Sequence, residues 1–173
     1  MTVSSPAPAL PAPLPSIDAL VQALQGVGYF ADRRLATAAW LALKLERPLL
    51  LEGEPGVGKT ALAQALARAL GRPLIRLQCY DGLEQREALY EWNYSAQLLH
   101  MRAAELSAPT LPAARDVEAE IYQERYLINR PLLQALRTPA PGALLLVDEI
   151  DRADEPFEAF LLEVLSDFQV TVP

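Results

Sequence analysis

The most constraining feature of this sequence is the eight-residue stretch GEPGVGKT at residues 53–60. It fits the pattern G-x-x-x-x-G-K-[ST], in which glycines let backbone amides approach phosphate oxygens and the lysine supplies a point charge. The pattern indicates a phosphate site when it lies between a strand and a helix. An apolar run at 49–51 precedes it, and an apolar stripe with helical spacing follows over 59–70. These residues therefore predict a strand, a phosphate-binding loop and a helix in succession.

Each position of this loop has a physical role in the predicted phosphate site. The helix that begins near Lys59 points its unpaired N–H groups and the positive end of its dipole at the anion. We expect Lys59 to contact the β and γ phosphates and to act in catalysis, and the Thr60 hydroxyl to ligate magnesium. The alternative is a glycine-rich turn without a ligand. The residues predicted to bind the nucleotide are Gly53, Glu54, Pro55, Gly56, Val57, Gly58, Lys59 and Thr60.

A second candidate site follows a later apolar run, where LLLV at 144–147 leads into Asp148 and Glu149. An apolar run of this kind is typical of a parallel strand that is covered on both faces. Asp148 is predicted to hold the magnesium ion, and Glu149 to orient and polarise the attacking water. The alternative is an acidic start to the next helix. Both motifs lie at the carboxyl ends of strands, where open α/β sheets bind ligands, and together they favour ATP and Mg²⁺ as cofactors.

The remaining sequence divides the chain into three segments. Residues 1–15 hold five of the fifteen prolines, and this composition predicts a disordered tail. Residues 16–47 are predicted to form two helices. Residues 48–173 hold both motifs, a second strand at 74–78 and a mostly helical stretch at 84–139. The last helix carries a single apolar stripe, and the order of elements predicts an α/β fold with a mostly parallel sheet.

Composition and charge disfavour several classes of protein. The net charge is −7, whereas a nucleic-acid-binding protein usually carries a basic patch. The aromatic residues after the second strand are therefore expected to pack or to face a protein rather than to stack on bases. The chain has neither a signal-peptide pattern nor an apolar run of the roughly 18 residues that a membrane span needs, and its single cysteine excludes an internal disulfide. We expect a soluble cytoplasmic protein without a nucleic-acid partner.

Taken together, the two motifs resemble those of AAA+ ATPases. The stretch at 148–172 is similar to the MoxR type, and the stretches at 74–82 and 88–94 resemble a branch linked to maturation of carbon monoxide dehydrogenase-like molybdenum enzymes. The resemblance runs from about residue 29 to 172. It implies a P-loop NTPase fold with three α/β/α layers, Mg²⁺-dependent ATP hydrolysis, and a ring, commonly a hexamer. It also implies chaperone-like remodelling of a client such as a metalloenzyme, with a von Willebrand factor A-type partner.

Two other functions remain open on the sequence. One is a truncated P-loop protein that binds nucleotide without hydrolysing it, and the other is a DNA-remodelling AAA+ protein, which the acidic charge disfavours. The resemblance also implies that Tyr29 and Phe30 lie near the adenine, although packing in the core is an equal interpretation. The client protein and the size of the oligomer are not assigned by the sequence.

The resemblance carries an expectation about completeness. It implies that the strands flanking the first strand, the sensor residues, the arginine finger and the helical lid follow Pro173. We therefore expect a fold that is incomplete at the C-terminal end. The isolated chain is expected to fold poorly or associate, to bind ATP weakly and to hydrolyse little of it.

Overall fold

The computed structural model describes residues 2–4, 14–107 and 121–171. Its helices are α1 (Ile17–Gly26), α2 (Arg33–Leu45), α3 (Lys59–Leu70), α4 (Gln85–Leu89), α5 (Tyr94–Ser107), α6 (Pro131–Arg137) and α7 (Glu155–Asp167). Its strands are β1 (Thr2–Ser4), β2 (Leu74–Gln78), β3 (Tyr90–Trp92), β4 (Leu127–Asn129), β5 (Leu144–Asp148) and β6 (Gln169–Thr171). Short 3₁₀ turns lie at Glu124–Tyr126 and Ile150–Arg152. No described helix is both long and apolar enough to cross a membrane.

The centre of the fold is the parallel pair formed by β2 and β5. The two strands run in register from Leu74 opposite Leu144 to Gln78 opposite Asp148. Side chains alternate between the faces of a strand, so Leu77 lies on one face and Gln78 on the other. The register therefore determines which residues of β2 enter the core and which lie beside Asp148.

Helices cover both faces of this pair. On one face, α4, α6 and α7 pack with Leu77 of β2 and with Leu145 and Val147 of β5 in a first core cluster. On the other face, α1, α2 and α3 form a second core cluster, against which Leu144 packs. The first cluster consists of Leu77, Cys79, Leu83, Ala88, Leu89, Leu132, Leu133, Leu136, Phe157, Leu161, Val164 and Val170. The second consists of Leu20, Leu24, Ala39, Leu62, Ala65 and Leu66. This is the predicted three-layer α/β/α arrangement of a P-loop NTPase.

Local sequence signals account for the ends of the main helices. Ser16, Asp32 and Asp154 begin α1, α2 and α7, and each accepts the N–H of the residue three positions later at 2.8–3.1 Å. Caps of this kind each stabilise a helix by about 1 kcal/mol. Helix α3 ends at Gly71, whose φ of 63° is in the left-handed region that glycine adopts readily. The predicted bounds of α3 and of β2 are confirmed.

The predicted strand at 49–51 is wrong as a hydrogen-bonded element. Leu49 and Leu51 pack against the second core cluster, whereas Leu50 is 70% exposed, so the side chains alternate as they do in a strand. A strand is defined by hydrogen bonds to a neighbouring strand, and in the described residues β2 and β5 pair with each other. The alternation is therefore present here without a ladder.

The prediction of a mostly helical stretch at 84–139 is wrong in part. Strands β3 and β4 interrupt it and pair antiparallel, with Tyr90 opposite Asn129 and Trp92 opposite Leu127. Aromatic and β-branched side chains favour such extended backbone once a partner strand is available. The sequence also predicts a looser break within this stretch at 107–112, of which residues 108–112 lie outside the described residues.

The two ends of the described chain form a ladder with each other. Thr2–Ser4 pairs antiparallel with Gln169–Thr171, within the segment 1–15 that is predicted to be a disordered tail. Residues 5–13 of that segment lie outside the described residues. The β1–β6 and β3–β4 ladders are antiparallel, and the parallel character that the sequence predicts belongs to the central β2–β5 pair.

Candidate functional site

The glycine-rich loop at 53–60 has the backbone of a phosphate-binding loop. Gly53, Gly56 and Gly58 have φ angles of 149°, 85° and 95°, a region that a side chain disfavours. A Cβ atom added at Gly56 would meet nothing within 4 Å, so the loop borders open space at this point. The backbone conformation therefore accounts for glycine at these three positions, and the open space at Gly56 leaves room for a ligand.

The start of α3 differs from the starts of the other long helices. Its N-cap residue is Gly58, which makes no side-chain capping bond, whereas α1, α2 and α7 are capped by Ser16, Asp32 and Asp154. The first N–H groups of a helix have no partner within the helix, and with the helix dipole they favour an anion. A phosphate group is the ligand that suits this uncapped end and the adjoining loop.

Lys59 lies over the mouth of the same loop. Its Nζ donates to the backbone oxygen of Gly53 at 2.5 Å and to that of Glu54 at 2.9 Å. An ammonium group has three N–H donors, and these two bonds hold it against the loop. The backbone of the motif thus positions Lys59, the side chain that is predicted to contact phosphate.

Helix α3 brings the loop to the carboxyl end of the central strands. The C-terminal end of α3 leads through 71–73 into β2, and the carbonyl of Pro73 accepts the N–H of Leu144, the first residue of β5. Helix α3 also packs against β5. The twelve residues of α3 span about 18 Å and the five of β5 about 17 Å. Lys59 and Asp148 therefore lie at the same end of the sheet, as the sequence predicts.

Asp148 is held by an arginine from the neighbouring strand. The carboxylate is 22% exposed, and its Oδ2 accepts from Arg76 Nη2 at 2.6 Å. The same nitrogen donates to Gln78 Oε1 at 2.6 Å. The backbone oxygen of Asp148 accepts the N–H of Cys79 at 2.9 Å, which continues the ladder past β2. The predicted metal ligand thus has a fixed backbone and a cationic neighbour.

Glu149 lies at a sharp turn of the backbone. Its φ and ψ of 54° and 45° are left-handed, which is uncommon for a residue with a side chain. Its carboxylate accepts from Arg152 Nη1 at 3.2 Å, and Arg152 Nε donates to Asp81 at 3.4 Å. The hydrogen bond to Glu149, followed by the charge of Asp81, raises the pKa of the Arg152 guanidinium. These side chains are half-exposed or more, so the pairs are weak and the carboxylate is free to reorient.

Cys79 lies in the core next to this acidic end of the sheet. It is fully buried, and a free cysteine behaves in a core as a small apolar side chain. Burial, followed by the charges of Asp148, Asp151 and Glu149, raises the pKa of its thiol. The thiol is therefore neutral at physiological pH, and a role for it as a nucleophile is disfavoured.

Two aromatic residues before the loop lie in different environments. Tyr29 packs against the second core cluster, and its hydroxyl would be 3.9 Å from a Cβ atom at Gly58. Phe30 is 82% exposed. Tyr29 is thus a core residue that also borders the loop, whereas the side chain of Phe30 is exposed. Of the later aromatic residues, Tyr90 and Trp92 pack edge to face with ring centroids 6.1 Å apart.

The residues at this end of the sheet fit ATP and magnesium. Magnesium prefers oxygen ligands and keeps several waters, so one carboxylate, one hydroxyl and the phosphates suffice. Asp148 and Thr60 supply protein oxygens of the appropriate kind. Among the described residues no cluster of three or more histidine, cysteine, aspartate or glutamate side chains is arranged to hold a metal ion.

Sequence reasoning missed the cationic neighbours of the acidic pair. Arg76 and Gln78 share a face of β2 and approach Asp148 because of the strand register, and Arg152 follows Glu149 by three positions. Alternation along β2 places Arg76 and Gln78 on one face, but only the register with β5 identifies Asp148 as their neighbour.

The loop, the uncapped helix and the acidic strand end define an α/β nucleotide-binding domain of the P-loop class. The sequence model of the AAA domain, dynein-related subfamily, matches residues 48–173. The chain belongs to this family, and membership supports ATP binding and hydrolysis in general.

Several curated proteins are similar to this chain. The Lon protease of Halothermothrix orenii is 32% identical over 146 residues, which are 79% of this chain and 14% of that protein. Midasin of Giardia intestinalis is 56% identical over 48 residues, 28% of this chain and 1% of that protein. A Bacillus subtilis protein, YeaC, is 28% identical over 140 residues, 81% of this chain and 34% of that protein. The chain thus spans about a third or less of the length of these relatives, and no solved structure matches it.

Proposed function

We propose that this chain binds ATP with magnesium and hydrolyses it. The observation that carries the proposal is the glycine loop in front of an uncapped α3, at the same end of the sheet as Asp148 and Glu149. Family membership supports the same activity in general. A phosphate-binding loop beside an acidic strand end is the arrangement that phosphoryl transfer to water needs.

The residues divide the work as follows. The loop amides and the N-terminal end of α3 bind the phosphates, and Lys59 exchanges its contacts with the carbonyls of Gly53 and Glu54 for phosphate oxygens. Thr60 and Asp148 would hold magnesium, which neutralises phosphate charge when bound. Glu149 orients the attacking water through its carboxylate and accepts the proton.

A second candidate, binding without hydrolysis, is favoured by the contacts of Glu149. Its carboxylate is paired with Arg152, which also contacts Asp81, so the group that would orient water is engaged elsewhere. In the hydrolytic proposal this weak pair opens when nucleotide binds. In the alternative it persists and the bound ATP stays intact.

A calorimetric titration with ATP, ADP and GTP, with and without magnesium, tests the proposal. We expect tighter binding of ATP with magnesium than without it, and release of phosphate on incubation. Binding without phosphate release favours the second candidate. Failure of ATP to bind, with or without magnesium, contradicts both.

The biological role that we propose is chaperone-like remodelling of the MoxR type, in an ATP-dependent ring. The support is the resemblance at 148–172 and, for the ring, membership in the AAA domain family. The client is proposed to be a metalloenzyme or protein complex, with a von Willebrand factor A-type partner. Light scattering with ATP and with ADP tests the ring, and copurification with such a partner in ATP but not in ADP tests the association.

A further inference from the structure

The acidic end of the sheet holds a positive charge that the proposed reaction does not use. Arg76 lies on β2 and pairs with Asp148, which is 72 positions later in the chain. Its Nη2 atom lies 2.6 Å from both Asp148 Oδ2 and Gln78 Oε1. The carboxylate that is predicted to hold magnesium is therefore already neutralised by a side chain of the same domain.

The sheet fixes this pair in position. Gln78 is directly opposite Asp148 in the parallel register, and Arg76 precedes Gln78 by two residues on the same face. A long side chain can reach a diagonal neighbour on the adjacent strand. The bond to Gln78 directs the guanidinium toward the carboxylate. Two contacts thus favour one position of the guanidinium, although the side chain is half-exposed.

A guanidinium and a magnesium ion compete for one carboxylate. Both are cations, and their mutual repulsion is incompletely screened because Asp148 is only 22% exposed. The positive charge of Arg76 therefore repels a metal ion that approaches the Asp148 carboxylate. This repulsion falls when the guanidinium moves away from Asp148. The Arg76 side chain is half-exposed, so it can move into solvent.

We propose that Arg76 is a built-in counter-ion of Asp148 that magnesium must displace when ATP binds. This inference rests on the proposed function, because it assigns Asp148 to the metal. Arg76 stabilises the acidic end without nucleotide and raises the magnesium concentration at which ATP binding is half-maximal. Arg76 thus acts on metal binding through Asp148, by a direct ion pair with its carboxylate.

The opposite role has the opposite sign. If Arg76 instead orients the Asp148 carboxylate for the metal, removal of Arg76 weakens magnesium binding by Asp148. The magnesium concentration needed for half-maximal ATP binding then rises. If the pair only stabilises the fold, removal lowers the melting temperature and leaves the magnesium dependence unchanged. The direction of the shift therefore separates the three roles.

The experiment is a magnesium titration of the binding of a fluorescent ATP analogue to the full chain. We expect R76A and R76Q each to lower the half-maximal magnesium concentration by roughly fivefold, the value of a partly exposed ion pair. R76K retains the charge and is expected to stay close to the unsubstituted chain. Association of magnesium with the nucleotide in solution is the same for every variant, so differences report the protein.

The matched control is R33A, which removes one arginine from the exposed pair that Arg33 forms with Asp18. It changes the net charge equally and is expected to leave the titration unchanged. Circular dichroism confirms folding, and R76Q, which is shorter and neutral but keeps a polar side chain, serves where R76A does not fold. An unchanged or raised half-maximal concentration in R76Q overturns the inference alone. Absence of nucleotide binding by the unsubstituted chain overturns the proposed function and this inference with it.

Discussion

The glycine loop and the acidic end of β5 achieve their positions in different ways. The loop is held by its own backbone: positive φ angles at its glycines, and carbonyls of Gly53 and Glu54 that bind Lys59. The acidic end is held by distant side chains, since Asp148 bonds to Arg76 of another strand. One region is thus determined by adjacent residues, and the other by the register of a sheet.

This difference separates two kinds of sensitivity. Substitution in the loop changes backbone conformation or a phosphate contact directly. Substitution at the acidic end changes a set of charges in which each carboxylate has an arginine neighbour, Arg76 for Asp148 and Arg152 for Glu149. We therefore expect the loop to govern binding and the acidic end to govern what happens to the bound nucleotide.

The largest effect is expected at Glu149. E149Q removes the carboxylate that accepts a proton, so turnover should fall by roughly 10²- to 10⁴-fold while ATP affinity is retained. Phosphate release and fluorescent-nucleotide binding measure the two quantities separately. E158Q, which makes the same change on exposed Glu158 in the first turn of α7, is the control. Equal turnover in E149Q and E158Q would exclude Glu149 from the reaction.

The next effect is expected at Lys59. K59A removes a charge-assisted contact with phosphate worth about 1.5–3 kcal/mol, which is roughly a 10- to 150-fold loss of affinity. The chain has one other lysine, the exposed Lys44 of α2, and K44A removes the same charge elsewhere. Nucleotide titration of both variants measures the difference. If the two variants bind alike, Lys59 is not part of the phosphate site.

A smaller effect tests the backbone of the loop. G58A places a Cβ on a residue with φ 95°, which costs about 1–2 kcal/mol of folding free energy. Its nearest neighbour, the Tyr29 hydroxyl, would be 3.9 Å away, so conformation rather than crowding causes the loss. Gly26 ends α1 without a positive φ, and G26A is expected to match or exceed the original stability. Urea denaturation compares the two, and equal stability would show that the loop relaxes.

The smallest effect concerns how the two helices of the site begin. Helix α7 has a side-chain cap where α3 has none, and D154A removes it at a cost of about 1 kcal/mol. D167A removes the same charge from the last residue of α7, where a carboxylate opposes the helix dipole, and should not destabilise. Thermal melts of both variants check this. A drop in D167A as large as that in D154A would attribute the loss to charge instead of capping.

The same difference explains what the sequence alone predicts. The loop, α3 and β2 follow from adjacent residues: glycines, helical spacing, and a glycine that ends the helix. Leu49–51 has the pattern of a strand, but a ladder depends on a neighbour and none pairs with it in the described residues. Strands β3 and β4 were missed for the reverse reason, because Tyr90 and Asn129 become partners only when the chain between them folds back. The Arg76–Asp148 pair likewise requires the register of β2 with β5.

The parallel register also gives β2 a parity. Leu77, at an odd position, lies in the first core cluster, whereas Arg76, at an even position, lies beside Asp148. Inserting or deleting a single residue inside β2 would exchange these roles in one step, putting an arginine into the core and a leucine beside Asp148. Changes of chain length in this part of the molecule are therefore tolerable in the turn at 71–73 and not within the strand. A single register of this short strand thus determines both the packing of the interior and the charge around Asp148.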